Sequence, residues 1–128
     1  LVGGAGHDYA FGGDGDDTLY GGDDGDYLFG GAGADFIWTD NIGEAPARDY
    51  IYAGAGTGID TVADFTARGD ASDVVVVSGV SGISSFADIQ GRITQAGIYS
   101  VVALTPQDQL YLYNVTASEL SASNFIVL

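Results

Sequence analysis

Residues 3–38 are four tandem nonapeptides, GGAGHDYAF, GGDGDDTLY, GGDDGDYLF and GGAGADFIW, beginning at Gly3, Gly12, Gly21 and Gly30. Each opens with a glycine pair, carries Asp at its sixth position (Asp8, Asp17, Asp26, Asp35) and an aliphatic residue at its eighth (Ala10, Leu19, Leu28, Ile37). A fixed short period marks a repeat architecture, in which one unit buries its apolar side only by stacking on others. The glycines suit a turn that needs positive φ and close backbone approach. The last three residues alternate as a short strand does, with one side chain inward and its two neighbours outward. Each unit therefore divides into a six-residue turn and a three-residue strand.

The pattern G-G-x-G-x-D-x-U-x resembles the RTX, or hemolysin-type, calcium-binding nonapeptide repeat. That resemblance implies an all-β fold: a calcium-binding parallel β-roll over residues 1–38, in which nine residues make half a coil and eighteen a full one. Turns then stack on the turn after next, about 4.8 Å apart. Asp8 comes to lie under Asp26 on one edge, and Asp17 under Asp35 on the other. Like charges at that spacing repel by a few kcal/mol even at an effective dielectric of about 20. A hard cation between them reverses the sign, and carboxylate plus carbonyl oxygens make a calcium donor set. In the family, each ion sits between two stacked turns. The lower turn gives the carbonyls of positions one and three and its Asp; the upper gives the carbonyls of positions two and four and its Asp. Carried over, one site is Gly3, Ala5 and Asp8 with Gly22, Asp24 and Asp26. The other is Gly12, Asp14 and Asp17 with Gly31, Gly33 and Asp35. Asp24 departs from the pattern by replacing the fourth-position glycine. Asp visits the left-handed region more readily than most residues and its ligand there is a carbonyl, so the site is expected to survive.

The charge agrees with this reading. The 128 residues hold 18 acidic and 3 basic side chains, a formal net charge of −15. Nine Asp and no Arg fall in residues 1–40. Such a surface repels nucleic acid and anionic membranes. Alone, an acidic glycine-rich segment is disordered; with calcium it folds. There is no Cys to staple the chain, and no apolar run is long enough for a membrane span. Leu1 and Val2 fit positions eight and nine of a preceding repeat, so the chain is expected to be the C-terminal piece of a longer protein.

Residues 39–57 break the period and read as an irregular capping loop with a short strand over Asp49–Ala53. Asp40 and Glu44 fall above the third turn and are candidates for a further, irregular calcium site; the plainer reading is a solvated acidic loop. Residues 58–128 read as a β-rich cap. Thr61–Phe65 and the valine run Asp73–Ser78 look like strands. Residues 60–73 resemble the D-x-x-x-D-F…G-D-x-x-D segment that follows the repeats in many RTX proteins. Asp60 and Asp64 there are candidates for calcium, though turn and hydrogen-bonding roles have the stronger claim. Ser84–Gln95 reads as one short helix capped by Ser84 or Ser85. Strands are expected at Tyr99–Leu104, Leu110–Val115 and Phe125–Leu128, with a helical turn near Ala117–Leu120. The helix, the hairpin and the closing LSASNFIVL resemble the C-terminal end of type I secreted RTX proteins, where the uncleaved secretion signal lies.

Catalysis lacks its parts. The single His7 sits at an outward turn position and reads as solvated, and without a second His or any Cys no nucleophilic triad can be assembled. Calcium-bound carboxylates are charged ligands rather than proton donors. The glycine-rich turns hold no Lys and are too acidic to cradle phosphate. Positions seven and nine carry Tyr9, Phe11, Tyr20, Tyr27, Phe29, Phe36 and Trp38, with Tyr9 expected over Tyr27, Phe11 over Phe29 and Tyr20 over Trp38. Strand propensity and cross-strand packing explain them; alternatively one sheet face packs on the C-terminal segment, a second copy or a glycan. The resemblance thus implies a non-catalytic, calcium-binding folding and secretion module of a larger secreted protein, extracellular or at the cell surface. The type I secretion machinery would read its tail, and any catalytic domain would lie upstream. A carbohydrate- or surface-binding RTX module is the alternative.

Overall fold

The computed structural model describes residues 1–40 and 45–128. In chain order the elements are β1 (Val2–Ala5), β2 (Tyr9–Asp14), β3 (Thr18–Asp23), β4 (Tyr27–Ala32), β5 (Phe36–Asp40), β6 (Tyr50–Gly54), β7 (Ile59–Val62), β8 (Val74–Ser78), α1 (Phe86–Gln90), β9 (Ile93–Ala96), β10 (Tyr99–Ala103), β11 (Gln109–Tyr113) and β12 (Phe125–Val127). Single 3-10 turns lie at Ala117–Glu119 and Ala122–Asn124. Successive strands of the repeats go to opposite sheets. One sheet runs β1-β3-β5-β7-β11-β10-β9, the other β12-β8-β6-β4-β2.

The eighteen-residue coil is realised in the repeats: Val2 faces Tyr20, Tyr9 faces Tyr27, and Thr18 faces Phe36, all in parallel pairs. Beyond Trp38 the coils lengthen, yet the parallel stacking continues. Tyr27 faces Tyr50, Phe36 faces Thr61, and Tyr50 faces Val74. The C-terminal half therefore adds strands to the same two sheets. β11 joins β7 in parallel and β12 joins β8 in parallel, while β10 and β9 complete the first sheet antiparallel.

Between the sheets the inward positions form two columns. Ala10, Leu28, Ile51, Val75 and Phe125 stack on one side; Leu19, Ile37, Val62 and Leu112 stack on the other. All are buried. A side-chain period of two fixes which residues face in, so a one-residue slip would turn both columns outward.

Two local expectations need correction. The helix is shorter than Ser84–Gln95: it ends at Gln90, and Ile93 opens a strand in which it faces Val102. Gly91 weakens the helix, and the β-branched pair Ile93–Thr94 suits an extended backbone that gains ladder bonds. The Thr61–Phe65 strand stops at Val62, and Phe65 is buried beyond its end.

Candidate metal centres

The stacked turns approach so closely that side chains are excluded. Gly22 has φ +118° and Gly31 φ +104°; a methyl on either would overlap the carbonyl oxygen of Gly4 or Gly13 one coil below. Asp24 takes φ +70°, the left-handed conformation expected of it. The register sets Gly4 against Gly22 and Ala5 against Asp23. It sets Gly13 against Gly31 and Asp14 against Ala32. Gly3, Ala5 and Asp8 thus come beside Gly22, Asp24 and Asp26 on one edge. Gly12, Asp14 and Asp17 come beside Gly31, Gly33 and Asp35 on the other.

The carboxylates of Asp26 and Asp35 split their two oxygens between two tasks. Oδ1 of Asp26 accepts from the Asp8 backbone N–H at 2.8 Å, and Oδ1 of Asp35 from that of Asp17 at 2.8 Å. Oδ2 of Asp8, Asp17, Asp26 and Asp35 is buried with no hydrogen-bond partner. A buried acceptor with nothing to accept from is costly, and more so when charged. Burial pushes the carboxyls of Asp26 and Asp35 above their ordinary range; the Asp8 and Asp17 backbone N–H groups oppose the rise, and the carboxylates of Asp8 and Asp17 add to it.

These residues fit a hard cation. The space a side chain would fill at Gly3 is bounded by the Gly21 carbonyl oxygen and Asp8 Oδ2; at Gly12 it is bounded by the Gly30 carbonyl oxygen and Asp17 Oδ2. Among the described residues no three His, Cys, Asp or Glu side chains gather as a metal-binding group. A cation here would therefore draw on paired carboxylates and backbone carbonyls, the oxygen-rich donor set that calcium takes.

The other candidates divide. Asp60 continues the second carboxylate column, its Oδ1 accepting from the Asp35 N–H at 2.9 Å. Asp64 Oδ1 accepts from the Thr39 N–H and hydroxyl at 2.7 and 2.9 Å, and Oδ2 from the Asp40 N–H at 3.1 Å. Asp40 Oδ1 accepts from the Ala47 N–H at 3.1 Å, and burial raises its carboxyl. Glu44 lies outside the described residues. His7 is exposed, as expected, but its Nδ1 stands 2.6 Å from the Gly25 carbonyl oxygen one coil above.

Two column members escaped the sequence reading. Asp49 Oδ1 accepts from the Asp26 N–H at 2.7 Å, and Asp73 Oδ1 from the Asp49 N–H at 3.0 Å. One edge therefore runs Asp8, Asp26, Asp49, Asp73. Burial pushes the carboxyls of Asp49 and Asp60 up to about 7 and that of Asp73 up to about 8. The signal was present as the tetrads DYIY, DTVA and DVVV, which keep Asp two places before a buried aliphatic residue (Ile51, Val62, Val75) after the glycine pair is gone.

The RTX calcium-binding nonapeptide repeat matches residues 1–40 in four copies. No curated protein sequence matches the chain. Among solved structures, the chain is similar to the extracellular lipase LipA from Serratia marcescens, with a TM-score of 0.67 and 24% sequence identity. The match covers 94% of this chain and 21% of that one, about a fifth of the lipase's length. At that identity the likeness speaks for the fold. Residues 1–40 of this chain are a run of RTX calcium-binding nonapeptide repeats, folded as a parallel β-roll.

Proposed function

We propose that the chain is a calcium-driven folding module of a larger secreted protein, exported by a type I system through its C-terminal tail. The observation behind this reading is the pair of carboxylate columns. Asp26 and Asp35 each use one oxygen to hold the coil below, and all four repeat Asp residues keep Oδ2 buried and unpartnered. The ligands would be Gly3, Ala5, Asp8, Gly22, Asp24 and Asp26 on one edge, and Gly12, Asp14, Asp17, Gly31, Gly33 and Asp35 on the other. Calcium supplies the positive charge that lets aligned carboxylates sit one coil apart. Extracellular calcium modules bind at about 10⁻⁴–10⁻³ M, and binding to the folded state alone stabilises it by mass action. A low-calcium interior thus keeps the chain unfolded and exportable, and the exterior folds it. The module does no catalysis of its own; a catalytic domain would lie upstream. Two measurements test this. Trp38 fluorescence, followed against free calcium, should change cooperatively; an emission insensitive to calcium contradicts the reading. A passenger fused ahead of residues 1–128 should be exported by a type I system and retained when residues 121–128 are deleted.

A second reading, a glycan- or surface-binding module, draws on the outward face of β2, β4 and β6. Tyr9, Tyr27 and Tyr50 stack with centroids 4.7 and 4.9 Å apart; Phe11, Phe29 and Tyr52 stack at 4.5 and 4.0 Å. Tyr9 and Phe11 stay exposed. Titration of the calcium-loaded chain with soluble glycans separates the two readings.

A further inference from the structure

Resting on the calcium reading above, we propose that the cation sites extend one level past the nonapeptide repeats, to a third calcium site between Asp26 and Asp49.

The space beside the first glycine of a turn reports each level. At Gly3 it is bounded by the Gly21 carbonyl oxygen above and Asp8 Oδ2 within the turn; at Gly12, by the Gly30 carbonyl oxygen and Asp17 Oδ2. Gly21 repeats the arrangement: a side chain there would meet the Thr39 carbonyl oxygen at 2.5 Å and Asp26 Oδ2 at 2.6 Å. Thr39 has replaced the repeat glycine, but its carbonyl holds the same place. At Gly30 the three nearest atoms all belong to Asp35.

Asp49 supplies the second carboxylate. It lies 23 residues after Asp26 rather than 18, yet it accepts the Asp26 N–H as Asp26 accepts that of Asp8. Asp26 and Asp49 are both fully buried, and Oδ2 of each has no hydrogen-bond partner. Asp73, the next rung, shows the alternative. Its Oδ1 accepts from the Asp49 N–H and its Oδ2 from the Thr66 N–H at 2.7 Å, so both oxygens are satisfied by the chain. Asp73 has the pattern of a structural rung, and Asp49 has the pattern of Asp26. The Thr39 N–H and hydroxyl are already committed to Asp64, which fixes Thr39 with its carbonyl toward Gly21.

The test counts calcium ions on the chain by native mass spectrometry and equilibrium dialysis in millimolar calcium, with Asp49→Asn beside the wild type. The amide keeps an oxygen for the Asp26 N–H and removes the charge. Three ions on the wild type and one fewer on D49N are expected, with calcium-induced circular dichroism retained. An unchanged count in a folded D49N overturns the proposal. Should D49N not fold, the wild-type count decides: three ions support the third site and two overturn it while leaving the calcium reading intact. No bound calcium on the wild type overturns the calcium reading itself.

Discussion

The backbone N–H of Asp8 donates to Oδ1 of Asp26 at 2.8 Å across one full coil, while Oδ2 of both residues stays buried without a partner. One oxygen holds the register and the other holds charge for a cation, and substitution separates these roles. Asp26→Asn keeps an acceptor for the N–H and removes the charge. It should raise the calcium needed for folding and ease the calcium-free fold. Asp26→Ala also strands the Asp8 N–H, at about 1–3 kcal/mol, and should be less stable than Asp26→Asn even in saturating calcium. Denaturant melts of both variants in saturating calcium, with the calcium midpoint of folding, check this; equal behaviour would show that the register bond contributes little.

Turn stacking predicts an order among glycines. Gly4 has φ +120° with open space around it, whereas Gly22 has φ +118° and the Gly4 carbonyl where a methyl would stand. Backbone strain alone costs on the order of 1–3 kcal/mol at either position. Gly22→Ala must also push two coils apart, so it should lower the melting temperature in saturating calcium well beyond Gly4→Ala. The reverse order would contradict the close stacking.

Acidity should favour the calcium-free fold. Burial holds the carboxyls of Asp49 and Asp60 at about 7 and that of Asp73 at about 8, against about 4 for an ordinary carboxyl. The folded chain then keeps protons that the unfolded chain releases. That contribution is complete below about pH 4 and is lost as pH rises through about 7 to 8. In chelator, far-UV circular dichroism should therefore show more residual β structure at pH 5 than at pH 8. Calcium, which needs ionised ligands, should bind more weakly at the lower pH. Residual structure in chelator that does not change between pH 5 and pH 8 would mean these groups gain nothing from protonation in the fold.

The first turns of the roll were legible because its grammar is strict. A period of nine fixes the eighteen-residue register, and the aromatic pairs Tyr9–Tyr27, Phe11–Phe29 and Tyr20–Trp38 follow from it. After Trp38 the coils lengthen by unequal amounts, and Tyr50 reaches Tyr27 through no countable period. Asp49 and Asp73 were missed for that reason, although their tetrads retain the repeat's second half. The docking of β11 on β7 was illegible for a different reason. Gln109 pairs with Ile59 across α1 and three strands, and local pattern carries no information about so distant a partner.

The aromatic columns separate folding from recognition. Phe11 is exposed and stacks on Phe29, which stacks on Tyr52. Replacing Phe11 and Phe29 with Thr keeps strand propensity and removes the wall. If the face serves recognition, the variant folds with calcium as the wild type does and loses a glycan or dimer contact. Unfolding of the variant would place the columns in the folding core.

Calcium and the fold of the repeats are inseparable. Regular inward residues are sparse there: Ala10, Leu19, Leu28 and Ile37 serve the whole stretch from residue 3 to 38, which also holds eight Asp and no basic residue but His7. The most direct measurement is far-UV circular dichroism against free calcium, with chelator and magnesium as controls. Coil over the repeats is expected in chelator and β structure in calcium, without rescue by magnesium, which is smaller and holds its own waters in near-octahedral geometry. Asp17→Ala should weaken the calcium response. A native β spectrum persisting in excess chelator would contradict the account, leaving the carboxylate columns as decoration on a fold held by its C-terminal half.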